Sequence, residues 1–139
     1  MQDTIQEGGC ACGAIRYSIS SEPAFSAHCH CLDCQSMTGA GMATIAGIPE
    51  EGFSVTLGEP KVYDTIGDSG KKVHRRFCGD CGSTLFSSAD SMPGMVFVEA
   101  GSLDDASGLQ PTMHIYTRSA QPWVTIPAEM ASFEAMPPG

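Results

Sequence analysis

Phe77-Cys78-Gly79-Asp80-Cys81-Gly82-Ser83 is the stretch from which the rest of this chain can be read. Its two cysteines, with glycines between and after them, form a knuckle. The glycines let the backbone turn back, so that both thiolates and nearby amide N–H groups face one cation. A knuckle brings two ligands and needs two more. The chain holds 7 cysteines, and the other five lie in two clusters, Cys10-Ala11-Cys12 and Cys29-His30-Cys31-Leu32-Asp33-Cys34. Spacing alone permits either cluster to partner the knuckle. Taking two from the central cluster strands one cysteine. Taking Cys10 and Cys12 closes a four-thiolate site with Cys78 and Cys81, and leaves Cys29, Cys31 and Cys34 together. That tidier division would tie the N-terminal strand to the middle of the chain. A closed four-cysteine zinc site is structural, with an apparent binding free energy on the order of 10–16 kcal/mol in small peptides.

Disulfides are the competing use of cysteine. The odd count, the tight Cys-x-Cys pairs and the polar, acidic start from Met1 to Gly9 all weigh against them. The expectation is a cytoplasmic protein with metal-bound thiolates. No stretch approaches the 18 or more apolar residues of a membrane span, so no membrane partner is expected.

Three thiolates on one cation leave a fourth position for water or substrate, which is the usual catalytic geometry for zinc. Cys29 and Cys31 are expected on one side of an extended segment, with Cys34 returning after a turn. His30 would then point opposite them, either toward solvent or supporting polar groups or into a catalytic role such as proton transfer. The alternative is a second structural site completed by His28, His30, His74 or His114. No His-x3–5-His pair supplies an obvious fourth ligand.

Around the cysteines the chain reads as short strands separated by turns, without a convincing amphipathic helix. Ile15, Tyr17 and Ile19 alternate with Arg16, Ser18 and Ser20, and Phe53, Val55 and Leu57 alternate with Ser54 and Thr56. Lys61 to Ile66, the turn Gly67-Asp68-Ser69-Gly70 and Lys71 to Phe77 suit a hairpin. Ser83 to Ser87 and Met95 to Ala100 are further strands. Leu103 to Gly108 is expected to hold one helical turn, and Phe133 to Gly139 a loose tail. With 16 Gly and 9 Pro, a mainly β fold is favoured over a bundle. The 139 residues fit one domain, 1–139, with its core at about 9–133.

The formal charge of −9 argues against nucleic-acid and anionic-membrane partners. Two thiolate-bound zinc ions would take it to about −12, so an anionic substrate needs local cations. Arg118 is one candidate for a substrate carboxylate, although a surface salt bridge is the commoner use. Alternation in the basic run Lys71 to Arg76 predicts a solvated face. Trp123 reads as a core anchor, and the 8 Met as core filling.

Gly9 to Tyr17, His28 to Gln35 followed by Thr38-Gly39-Ala40, and Phe77 to Ser83 resemble the glutathione-dependent formaldehyde-activating enzyme family, which also takes in a centromere-associated protein. Gly101 to Asp105 and His114 to Trp123 are similar to later segments of that family, and the likeness runs from about Gly9 to Phe133. It implies a Mss4-like fold of several small coiled antiparallel β-sheets around a structural zinc on Cys10, Cys12, Cys78 and Cys81. It further implies a labile or catalytic zinc on Cys29, Cys31 and Cys34. The implied activity is that of a carbon–sulfur lyase, which forms or cleaves the S-hydroxymethyl adduct of glutathione or a related small thiol with formaldehyde. One departure is Ser36, where the family commonly has a basic residue. Against the enzyme stands a scaffold or interaction module with two structural metals. Redox or metal-buffering use of the central cysteines is a weaker third reading, since no βαβ thioredoxin pattern accompanies them.

Overall fold

The computed structural model describes residues 4–137. In chain order the strands are β1 (Gln6–Gly9), β2 (Arg16–Ile19), β3 (Phe25–Cys29), β4 (Ala43–Pro49), β5 (Phe53–Leu57), β6 (Lys61–Ile66), β7 (Lys72–Phe77), β8 (Thr84–Ala89), β9 (Met95–Glu99), β10 (Met113–Ile115) and β11 (Ala131–Ser132). They build a three-stranded sheet in the order β1-β2-β5 and an eight-stranded sheet in the order β11-β10-β3-β4-β9-β8-β7-β6. The fold is mainly β, as expected. Most pairings are antiparallel, but β10 runs parallel to both β3 and β11.

The expected alternation holds on β2 but fails on β5, the edge strand of the smaller sheet, where Val55 and Leu57 are exposed like the residues between them. On β2, Tyr17 and Ile19 are buried while Arg16 and Ser18 are half-exposed. The β6–β7 hairpin pairs Ile66 with Lys72 across a turn at 67–71, one residue longer than expected. Between the two sheets lies a core of Ile15, Tyr17, Ile19, Ile48, Leu85, Phe86 and Val98, into which Cys10 and Cys78 also pack. A second cluster, with Ala27, Cys29, Cys34, Ala43 and Ile115, has Tyr116 and Phe133 against it. Each knot of cysteines therefore belongs to a different apolar cluster.

Several expectations need correction. A seven-residue helix, α1 (Leu32–Thr38), follows β3, so Cys34 returns on a helical turn. At fewer than two turns, α1 is too short to show a helical period. The helical turn placed at Leu103 to Gly108 lies upstream, at Ala100–Ser102, because Leu103 is drawn into the core and bridges to Gly8. The tail is docked: Phe133 N donates to His114 O at 2.9 Å and Thr117 N to Phe133 O at 3.0 Å. Pro138 and Gly139 lie outside the described residues. Among the described residues no methionine is in the buried core, and Trp123 is 71% exposed. Its ring lies over Gly41, where a built Cβ would stand 2.6 Å from it.

Two candidate metal centres

The outer centre is made by two turns of the same design. Cys10 and Cys12 sit in the β1–β2 connection, and Cys78 and Cys81 in the β7–β8 connection. In each turn the first cysteine's N–H donates to the carbonyl five residues on, Cys10 to Ile15 at 3.1 Å and Cys78 to Ser83 at 3.0 Å. A glycine with positive φ follows the second cysteine, Gly13 at 82° and Gly82 at 79°. Amides also aim at the sulfurs: Ile15 N lies 3.2 Å from Cys10 Sγ and Asp80 N lies 3.4 Å from Cys78 Sγ. The four Sγ atoms all fall within 4.8 Å of one another, near the span of a tetrahedral site. Ser83, whose hydroxyl lies 3.2 Å from Cys81 Sγ, holds that thiol down to about 5.

The inner centre is assembled from the end of β3 and the start of α1. Cys29 closes the strand, Cys31 is the N-cap residue, and its sulfur accepts from Cys34 N at 3.3 Å. The sulfurs of Cys34 and Cys29 are 3.4 Å apart, and all three Sγ atoms lie within 4.8 Å of one another. Among the described residues no histidine or carboxylate joins either cluster as a further ligand. The three thiols compete for protons. Hydrogen bonds with Cys29 and Cys34 push Cys31 down to about 2, while contacts with Cys31 and Cys34 push Cys29 well up. A cation at their centre would favour the thiolate form of all three. Both sulfur sets thus can hold a metal ion, and the donor chemistry suits zinc.

The surroundings of the inner centre contain residues that spacing did not single out. Arg75, on β7, is 9% exposed and its Nη1 lies 4.0 Å from Cys34 Sγ. It belongs to the run expected to form a solvated face, and that expectation fails for Arg75 because α1 brings Cys34 against it. Ser36 is on the exposed side of α1, so the cation near these cysteines comes from another strand. Glu99, at the end of β9, is pushed up to about 7 by burial, against the opposing pull of Arg75. Tyr116 packs against the cluster with φ 57°, the one positive φ outside glycine among the described residues. Arg118 stands 5.7 Å over its ring and is paired with Asp68 in the β6–β7 turn, a surface salt bridge. Gln35 donates to His30 O at 2.7 Å and to Ser119 O at 3.0 Å, and accepts from Gln121 at 2.8 Å. No local motif marks these roles, since each depends on strands distant in the chain.

The histidines gather elsewhere. His30 is fully buried, and its Nε2 lies 2.8 Å from His114 Nδ1. The His28 ring lies 4.7 Å from that of His114, tilted by 36°, and its Nδ1 is 2.8 Å from Thr44 Oγ1. Burial lowers the pKa of all three. His30 therefore neither faces solvent nor ligates. It forms a neutral internal pair beside the thiol cluster. His74 is at the far hairpin between Asp64 and Asp90.

A family model described as glutathione-dependent formaldehyde-activating enzyme matches residues 5–119. Two relatives bear the name "Putative glutathione-dependent formaldehyde-activating enzyme". One, from Fusarium vanettenii, is 30% identical over 77 residues, which span 55% of this chain but only 40% of the relative. The other, from Halomonas elongata, is 27% identical over 127 residues, covering 88% of this chain and 81% of the relative. A crystal structure of a Rhodobacter sphaeroides protein shares the fold, with a TM-score of 0.59 at 20% identity over 91% of this chain and 98% of that one.

Proposed function

The chain belongs to the glutathione-dependent formaldehyde-activating enzyme family, and on that footing we propose that it is a zinc-dependent carbon–sulfur lyase. Its reaction forms or cleaves the S-hydroxymethyl adduct of glutathione, or a related small thiol, with formaldehyde. In this reading Cys10, Cys12, Cys78 and Cys81 hold a structural zinc, and Cys29, Cys31 and Cys34 an exchangeable one. The observation that carries it is the contrast between the clusters. Four sulfurs close one site, whereas three converge at the other with no fourth protein ligand among the described residues.

Zinc held by the inner cysteines would supply a position where a thiol ionises well below its free value of about 8.5. The substrate sulfur then attacks the formaldehyde carbon. A C–S bond forms, the carbonyl π pair moves to oxygen, and the oxygen takes up the proton that the thiol gave. Glu99, held near neutrality, suits the task of keeping that proton in transit. The histidine pair, neutral and internal, leaves the reaction to other groups. Tyr116 and the Arg118–Asp68 pair form a wall beside the cluster, and Arg118 is the exposed cation there for a substrate carboxylate.

The test is adduct formation from glutathione and formaldehyde, followed by exchange NMR against the uncatalysed rate. The wild-type protein is expected to exceed that background. Cys31→Ser is expected to fall to it while keeping one equivalent of zinc. A wild-type rate equal to background would instead leave a metal-bound scaffold.

A further inference from the structure

Arg75 is a cation carried inside the protein without a carboxylate beside it. It is 9% exposed, and among the described residues no carboxylate oxygen lies within 4.0 Å of its guanidinium. Its contacts are Thr65 Oγ1, 3.4 Å from Nε, and Cys34 Sγ, 4.0 Å from Nη1. A buried guanidinium is costly unless an opposite charge stands near it. Asp33 and Glu99 act on it at longer range. Asp33 is exposed on α1, where water screens it. Glu99 is pushed up to about 7, so it is close to half protonated at neutral pH. Neither supplies a full negative charge in the interior.

We propose that Arg75 is the counter-ion of the inner three-cysteine centre, matched in charge to a divalent metal held by Cys29, Cys31 and Cys34. Three thiolates around a divalent cation carry about −1, which one guanidinium cancels. The proposal rests on the metal reading given above and explains two features that it leaves open. The first is Ser36: where the resemblance implies a cation beside these cysteines, this chain has a serine, and the cation comes from β7 instead. The second is electronic. A centre with three thiolates is electron-rich and a poor Lewis acid, and an N–H aimed at Cys34 Sγ draws charge off that sulfur. Partners outside the ligand set commonly change metal affinity by about 10–100-fold.

Arg75 is thus a positioning residue, and its test reads metal binding rather than turnover. Wild type, Arg75→Met and Arg75→Lys are titrated with Co2+, with the sulfur-to-cobalt charge-transfer band recorded and each site's affinity measured by chelator competition. Wild type should take up two equivalents. In Arg75→Met the second equivalent should bind at least tenfold more weakly, about 1.4 kcal/mol, with a shifted band, while the first is unchanged. Arg75→Lys should recover most of the loss. Retention of the first equivalent reports folding, and Arg75→Gln replaces the Met variant should that one fail to fold. Wild-type affinity in the neutral variant overturns the proposal, as does a lysine variant no better than methionine. A wild-type protein that takes up one equivalent only overturns the metal reading of the inner cysteines, and the proposal with it.

Discussion

His74 and Arg75 are adjacent on β7 and meet opposite surroundings. His74 sits between Asp90 Oδ1 at 2.8 Å and Asp64 Oδ1 at 2.7 Å, and these contacts raise its pKa. A histidine whose folded pKa exceeds its unfolded value adds stability below the unfolded value, about 6.5, and loses it as pH rises through the folded one. An NMR titration should therefore place His74 above His28 and His114, and Asp90→Asn should lower it. An unchanged midpoint in that variant would remove Asp90 as the cause. The strand alternation of Lys71 to Arg76 was visible from the residues alone. Which of its side chains is buried was not, because α1, some forty residues away, brings Cys34 to Arg75. Trp123 failed for a related reason. Its size argued for a core position, yet it rests on Gly41 with most of its surface outside.

At the scale of elements, turns and the short helix bring the cysteines of each cluster together. Gly82 has φ 79° with nothing within 4 Å of a built Cβ, so Gly82→Ala meets no steric clash. Its cost should be conformational alone, about 1–2 kcal/mol in chemical unfolding. A neutral result would show that the knuckle tolerates another backbone. The helix α1 depends on Gln35, whose amide joins it to His30, Ser119 and Gln121. Gln35→Ala should lower stability by about 1–3 kcal/mol and speed metal loss from the inner centre more than from the outer one. Equal effects on both would mean that Gln35 supports the fold without positioning α1. The knuckle was legible because Cys-x-x-Cys-Gly has few other uses. The helix was not, since seven residues carry too little periodicity and its cap is an unusual one, a cysteine.

For the whole molecule, the division of cysteines follows the division of apolar clusters. Cys10 and Cys78 are packed with Tyr17, Leu85 and Val98 between the sheets, so the outer centre is continuous with the main core. Cys78→Ser should remove one equivalent of zinc and lower the thermal midpoint sharply; an undisturbed fold with full zinc would refute the assignment. The inner centre lies in the smaller cluster with Ala43 and Ile115, and its loss should leave the main core standing. Spacing alone left two partners open for the knuckle, and the structure brings together the grouping that strands no cysteine. The parallel β3–β10–β11 edge, which docks Phe133 back onto the chain, was not, because parallel neighbours give no turn signal in sequence. The account turns on one site being closed and the other exchangeable. The most direct measurement is zinc release to a chromophoric chelator from wild type and Cys31→Ser. Two equivalents leaving wild type in a fast and a slow phase, with only the slow phase left in Cys31→Ser, is the predicted result. A single slow phase of two equivalents in wild type, or an unchanged fast phase in the variant, would contradict it.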